Sequence, residues 1–520
     1  MWFLLISLIL AALVLGAEVG QCWMKRAFPF FLVVAALMVG TLVRGAPLQH
    51  AILTYHGDLS RDGHFIVPGL TWERARSLHL DSGFHAEITG HVQAQPLYWK
   101  PPGSGRPLLI VATEENTVYA LDARTGRMVW KRALGPPVQR AALKCGDIVP
   151  LGVTGAPVID PASGTLYLDA AVARPEGMRH LVFALGLKDG AIVPGWPVNI
   201  TEALAGKEPT FHAHVQNQRG ALAIVAGTVY VPFGSFFDCG TYHGTVVGIS
   251  TSDPGRVTRW ATRAAGGGIW APGGIVSDGA SLFVATGNTV GVTDWTDGEA
   301  VLRLPLDLKH SARKRDFFAP ADWHSLDEID ADLGGIAPLL INLPAGKGPR
   351  KLILAIGKNG KAYLLDRTRL GGIGGALAIT KVSTHGVYAG AAAYPLGRSV
   401  YVAFSSSGAG CPKAAVPQRG LIAVAIRGGN PPTLAVAWCA QMEGFSAPIV
   451  TTSDGQSNPI VWALGAQGDN RLHGFRGDTG EVLFDGPPAG LAGLHRLQTL
   501  IATQKRLFVG ADDTIYAFAF

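Results

Sequence analysis

The chain has 520 residues, 48% of them hydrophobic and 16% charged, with 44 Lys and Arg against 38 Asp and Glu for a formal charge of +6. That apolar share excludes a disordered chain, and a modest charge with no basic run excludes a nucleic-acid groove, so no nucleic-acid partner is expected. Gly at 67 and Pro at 33 suit a protein of many tight turns.

In chain order, Met1 to Gly16 is apolar but lacks a basic start, whereas Met24-Lys25-Arg26 followed by the apolar run Ala27 to Val39 has the n-region and h-region of an export signal. The expected organisation is an upstream extension at 1–23, a signal peptide at 24–46 cut near Gly45 or Ala46, and a single domain at 47–520. Two membrane helices are the rival reading, although the first is short for a span. The chain would then meet a membrane only through this segment, left uncleaved. Export points to a periplasmic or secreted protein.

Leu108 to Trp130 carries the organising pattern. Leu109, Val111 and Thr113 alternate with Leu108, Ile110 and Ala112. Glu114-Glu115-Asn116 turns the chain, Thr117 to Leu121 runs back, Asp122 to Gly126 turns again, and Arg127 to Trp130 begins a third strand. Period-two apolar runs broken by polar and Gly turns predict an antiparallel meander. The pattern recurs at Thr165–Leu185, Thr228–Gly248, Ser281–Thr286, Lys351–Leu365, Ser399–Phe404 and Pro459–Phe484. It ends with Arg506–Phe518, which stops before its final strand. A repeat of several tens of residues with four short strands predicts an all-β, eight-bladed β-propeller. The unfinished last blade needs an outer strand, which Leu78 to Glu87 is placed to supply, closing the ring from the N-terminal side.

Cys145, Cys239, Cys411 and Cys439 remain in the mature chain. In an oxidising compartment an even number reads as disulfides. Three pairings are open; Cys145–Cys239 with Cys411–Cys439 is the working expectation, and free buried thiols are the alternative. No C-x-x-C, C-x-x-C-H, G-x-S-x-G, P-loop, dinucleotide fingerprint or H-E-x-x-H occurs. Hydrolase chemistry therefore has no support, and no haem, nucleotide or zinc is expected.

Ala120-Leu121-Asp122, Thr125-Gly126 and Trp130 resemble the repeat of the quinoprotein dehydrogenases, the pyrroloquinoline quinone (PQQ) propellers. Cys145 to Pro150, Gln216 to Arg219, Tyr242-His243-Gly244, Gly267 to Trp270, Ala285 to Asn288, Asp330 to Gly334 and Gly357 to Gly360 resemble secreted bacterial PQQ-like propellers. The resemblance spans about residues 52–520. It implies an Ala that docks and a Trp that staples each blade to the next. In the enzymes it further implies PQQ between a Trp floor and a disulfide of adjacent cysteines, calcium held by Glu, Asn and Asp, and an Asp base. This chain departs from that pattern, because no two of its cysteines are adjacent.

The candidate cofactor-binding residues are Trp270, Asn288, Lys358, His243 and Arg219, and the candidate metal ligands are Asp330 and Asp332. Each also has a plainer reading. Trp270 can pack between blades, Gly287-Asn288 and Lys358-Asn359 can be turns, and the run Asp327 to Asp332 lacks the remaining ligands of a calcium loop. His212 and His214, two apart, have no third metal ligand at a recognised spacing, and His243 and His385 fall in loops. No catalytic residue is assigned. The expected function is an envelope propeller that binds a small molecule or an envelope protein on its top face. The alternative is a PQQ- and calcium-dependent dehydrogenase oxidising an alcohol or sugar.

Overall fold

Short alternating runs ending at turn residues give short strands, and within each blade core they pair with their sequence neighbours. In the first sheet Leu97–Trp99, Leu108–Ala112, Thr117–Asp122 and Met128–Ala133 pair antiparallel in that order. The computed structural model describes residues 51–520 apart from 102, 104, 144 and 413–419. Within them seven further four-stranded cores follow, beginning at Val158, Ala223, Val276, Leu339, Ala391, Ile449 and Leu500. The result is the expected eight-bladed β-propeller. The upstream extension, the signal peptide and its cut site lie outside the described residues. No helix among the described residues is long and apolar enough to cross a membrane.

Blade-to-blade contact is apolar, and part of it is made by the expected tryptophan. Trp130 of blade one donates its indole N–H to Leu187 O of blade two at 3.0 Å. Its ring lies against Gly190, where a Cβ would come within 2.6 Å of the indole, so the turn at that position must be a glycine. Trp438 does the same for blades six and seven, donating to Gly477 O at 2.8 Å over Gly480.

The last blade is completed as expected. Leu500–Ala502, Arg506–Ala511 and Thr514–Ala519 take His79–Leu80 as their outer strand, with His79 opposite Ala519. Just beyond it, His85 N donates to Thr125 O of blade one at 3.0 Å. The closing segment therefore occupies, at the blade eight to blade one junction, the place a tryptophan takes elsewhere.

A second device was not visible in the sequence. Residues 52–63 run across the inner strands like a strap. Ile52 bridges Tyr98 of blade one, Leu53 O accepts from Ile159 N of blade two, and Leu59 O accepts from Ser277 N of blade four. Asp62 O accepts from Ala393 N of blade six, and Gly63 O accepts from Val450 N of blade seven. Arg61 is buried at its centre. Its guanidinium donates to Leu222 O at 2.8 Å, Ile275 O at 2.8 Å and Tyr55 O at 3.0 Å. Burial pulls its pKa down to about 10, which leaves it charged at neutral pH. The strap continues into His64–Ile66, which pairs parallel with Ile449–Thr452 of blade seven.

Replacing Arg61 leaves carbonyls of blades three and four without donors in a dry interior, so Arg61→Ala should lower the unfolding free energy by about 3 kcal/mol or more. Arg61→Lys should recover little of it, because one ammonium cannot span both blades. Urea unfolding of the purified variants checks this; an Arg61→Ala midpoint equal to wild type would overturn it.

Candidate functional site

The turn after the second strand of each blade and the loop leading into each first strand lie on one face of the ring. On the sector of blades two to five they enclose a cavity of about 220 Å³, lined among others by Asp147, Asn217, Arg219, Tyr242, Trp270, Asn288, Asp330, Asp332 and Lys358. One wall is held by a covalent tie. Cys145 and Cys239 form a disulfide with their Cα atoms 6.5 Å apart, joining the 145–148 loop to the 235–244 turn. The second disulfide, Cys411–Cys439, lies within blade six, and both match the expected pairing.

Asp332 is the hub of the site. Its Oδ2 accepts from Trp270 Nε1 at 3.1 Å and from Lys358 Nζ at 2.6 Å, and its Oδ1 accepts from Asn288 N at 2.8 Å. This approach requires Gly287, where a Cβ would stand 2.6 Å from Asp332 Oδ1. Lys358 also reaches Asp330 Oδ1 at 2.8 Å, and its ammonium stands 5.3 Å from the centre of the Trp270 ring, a cation–π distance. Burial holds the Asp332 carboxyl above its ordinary range although Lys358 pulls it down.

Behind Asp332 lies Glu299, fully buried. Its Oε2 accepts from Leu333 N at 2.6 Å, while Oε1 has no partner among the described residues. Burial, and next the nearby Asp332 charge, push it up to about 9, so it is protonated at neutral pH. Asp327 fastens the same corner by accepting from Thr289 N and Oγ1. On the opposite wall Tyr242 donates its hydroxyl to Asp238 Oδ1 at 2.5 Å. Arg219 faces the cavity with its Nε buried and unpaired among the described residues, and Asn217 Oδ1 beside it is likewise unpaired. Desolvation lowers the Arg219 pKa, and the nearby Asp147 and Glu114 charges offset part of that shift.

Six of the seven expected residues thus meet in one cavity: Trp270, Asn288, Lys358, Arg219, Asp330 and Asp332. His243 does not line it; its Nδ1 is 2.8 Å from Thr262 O, and desolvation lowers its pKa. His385 sits in the blade six loop with Nδ1 3.0 Å from Thr384 Oγ1. His212 and His214 lie outside the cavity with rings 5.8 Å apart. The acidic run Asp327 to Asp332 begins in the last turn of a short helix, Trp323–Glu328. Glu299 escaped the sequence reading, because one Glu at the head of an apolar strand carries no motif.

The donor set answers differently for the two groups the resemblance implies. For calcium, Asp330 and Asp332 both close on Lys358 Nζ. Among the described residues no third acidic or imidazole ligand joins them. Calcium takes six to eight oxygens, and these residues do not fit it. For a flat anion the fit is good: an indole face, an ammonium beside it, and a guanidinium with an unpaired N–H.

No protein-family profile and no curated protein matches the chain. Solved structures do. A quinohemoprotein alcohol dehydrogenase from Pseudomonas putida HK5 is 14% identical, with 91% of this chain and 80% of that one covered at a TM-score of 0.66. One from Comamonas testosteroni is 16% identical over 92% and 81% at 0.63. A europium-containing methanol dehydrogenase is 14% identical over 92% and 100% at 0.62. At such identities the likeness is one of fold, and the fold they share with this chain is the eight-bladed β-propeller.

Proposed function

We propose that the chain is a binding propeller of the bacterial cell envelope whose top-face cavity takes a flat organic anion. The observation that carries this reading is Arg219, a cation facing the cavity with a buried N–H that has no partner among the described residues. A carboxylate ligand would satisfy it, while Trp270 would stack on the ligand's ring and Lys358 add charge. The exposed side chains of Phe237, which lines the cavity, and of Val290 and Ile329, close in sequence to lining Asn288 and Asp330, suit a partner that covers the mouth as well. Two disulfides support the periplasmic or secreted location. In this reading Lys358, and not calcium, is the cation at Asp332.

The second reading is a quinone-dependent dehydrogenase acting on an alcohol or sugar. It is favoured by the fold and by Asp332, a cavity carboxylate whose raised pKa suits a general base. PQQ, itself a flat tricarboxylate, tests both. Calorimetric titration should show micromolar binding without calcium, weakened about tenfold or more by Arg219→Ala and by Trp270→Ala. Binding that appears only with calcium favours the dehydrogenase. No heat at high micromolar PQQ, together with no binding of simpler aromatic carboxylates, would sink the anion reading.

Glu299 supplies an independent check. Its folded pKa of about 9 lies above the value near 4.5 of an exposed Glu, so between those limits the folded chain holds the extra proton. Its contribution to stability is therefore present below about pH 4.5 and is lost as pH rises toward 9, by up to about 1.4 kcal/mol per pH unit. Glu299→Gln cannot ionise, and its stability relative to wild type should rise steadily from pH 5 to pH 9. Melting curves across that range that stay parallel would contradict the protonated state.

A further inference from the structure

We propose that His91, His495 and Asp512 form an open binding site for a first-row divalent transition-metal ion, with zinc as the reference ion. No sequence motif announces it, because the three ligands lie far apart along the chain and meet only where blade eight closes on blade one. One nitrogen or oxygen from each lies within 4.8 Å of the others. His495 Nε2 is 2.7 Å from Asp512 Oδ1, and His91 Nε2 is 3.9 Å from the same oxygen. The two imidazoles stack with centroids 4.7 Å apart and planes 24° from parallel. A hydrogen bond accounts for the His495 contact but not for the wider His91 separation, which leaves room for an ion shared by all three.

The surroundings hold the ligands in place. The turn carrying Asp512 is tied to the chain before His91 twice, by Gly90 N to Asp513 Oδ1 at 2.7 Å and by Asp513 N to Gly90 O at 3.2 Å. The loop carrying His495 is tied to the chain after His91 through Gln498, which accepts from His495 N and donates to Val92 O at 2.7 Å. The other nitrogen of His91, Nδ1, is 3.5 Å from Oε2 of buried Glu114, whose backbone N–H donates to His91 O at 3.0 Å. Glu114 thus stands behind the imidazole, where a second-shell partner of a ligating histidine sits. Two imidazoles and one carboxylate suit zinc, cobalt or nickel and not calcium, which wants oxygen alone. All three ligands are partly exposed, so a coordination position remains for water or an incoming group. Arg496, next to His495, donates to Asp147 of the cavity wall at 2.8 Å, so the metal site adjoins the anion cavity.

The test is titration of the chelator-stripped protein with cobalt(II), read by visible absorption, and with zinc by calorimetry. The expected result is one ion per chain, with affinity falling about tenfold or more in His495→Ala and in His91→Ala, and unchanged in His212→Ala. X-ray absorption of the cobalt-loaded wild type should report two imidazoles in the first shell, a readout that does not depend on a variant folding. No saturable binding in the wild type, or binding equally strong in both ligand variants, or a first shell without imidazole, would overturn the site.

Discussion

The structure depends on a buried guanidinium. A propeller has no single core, since each blade packs only on its neighbours, and here inner strands of five blades meet the 52–63 strap. Arg61 sits there and donates to carbonyls belonging to blades three and four and to the strap itself. Taking a guanidinium out of water is costly. It is offset here because the acceptors are preorganised carbonyls that would otherwise be unpaired in the same dry space. Four alanines, Ala156, Ala221, Ala389 and Ala447, and Leu497 close around Tyr55 beside it.

The top face shows the opposite electrostatic choice. At the axis Arg61 is answered by backbone carbonyls, whereas around the cavity most charges are answered by one another. Asp332 is fully bonded, Glu299 behind it is neutral, and Lys358 answers two acids. Across the cavity Arg219 and Asn217 each present a buried polar atom without a partner among the described residues. Unpaired polar atoms in an interior are costly, and grouped in one cavity they are the feature expected of a place that meets a ligand. The Cys145–Cys239 tie keeps the wall that carries Asp147 and Asp238 in position whether or not a ligand is bound.

Much of this was legible before any coordinates. The blades follow from period-two alternation between polar turns, a local signal that neighbouring strands in a meander preserve. The stapling tryptophans and the glycines beneath them could be read because both belong to the repeat. Trp270, Asn288, Lys358 and Arg219 stood out because they lie in stretches that resemble the PQQ-like propellers. His243 stood out for the same reason, yet its imidazole turns to Thr262 and away from the cavity. Loop membership is visible in a sequence, but side-chain direction is not. Glu299 and Arg61 were invisible, since a charged residue reads as solvated until burial is known.

The sequence by itself determined the blade count, the four-strand unit and the use of an N-terminal strand to complete the last blade, because these depend on contacts between residues close along the chain or on an unfilled place in the repeat. Only the tertiary structure decided that residues 52–63 bind six blades from within, and that Lys358 stands as the cation beside Asp332. It alone brought His91 to His495 and Asp512. Each of these rests on contact between residues far apart in the chain, and ring closure, which no local pattern encodes, is what creates that contact.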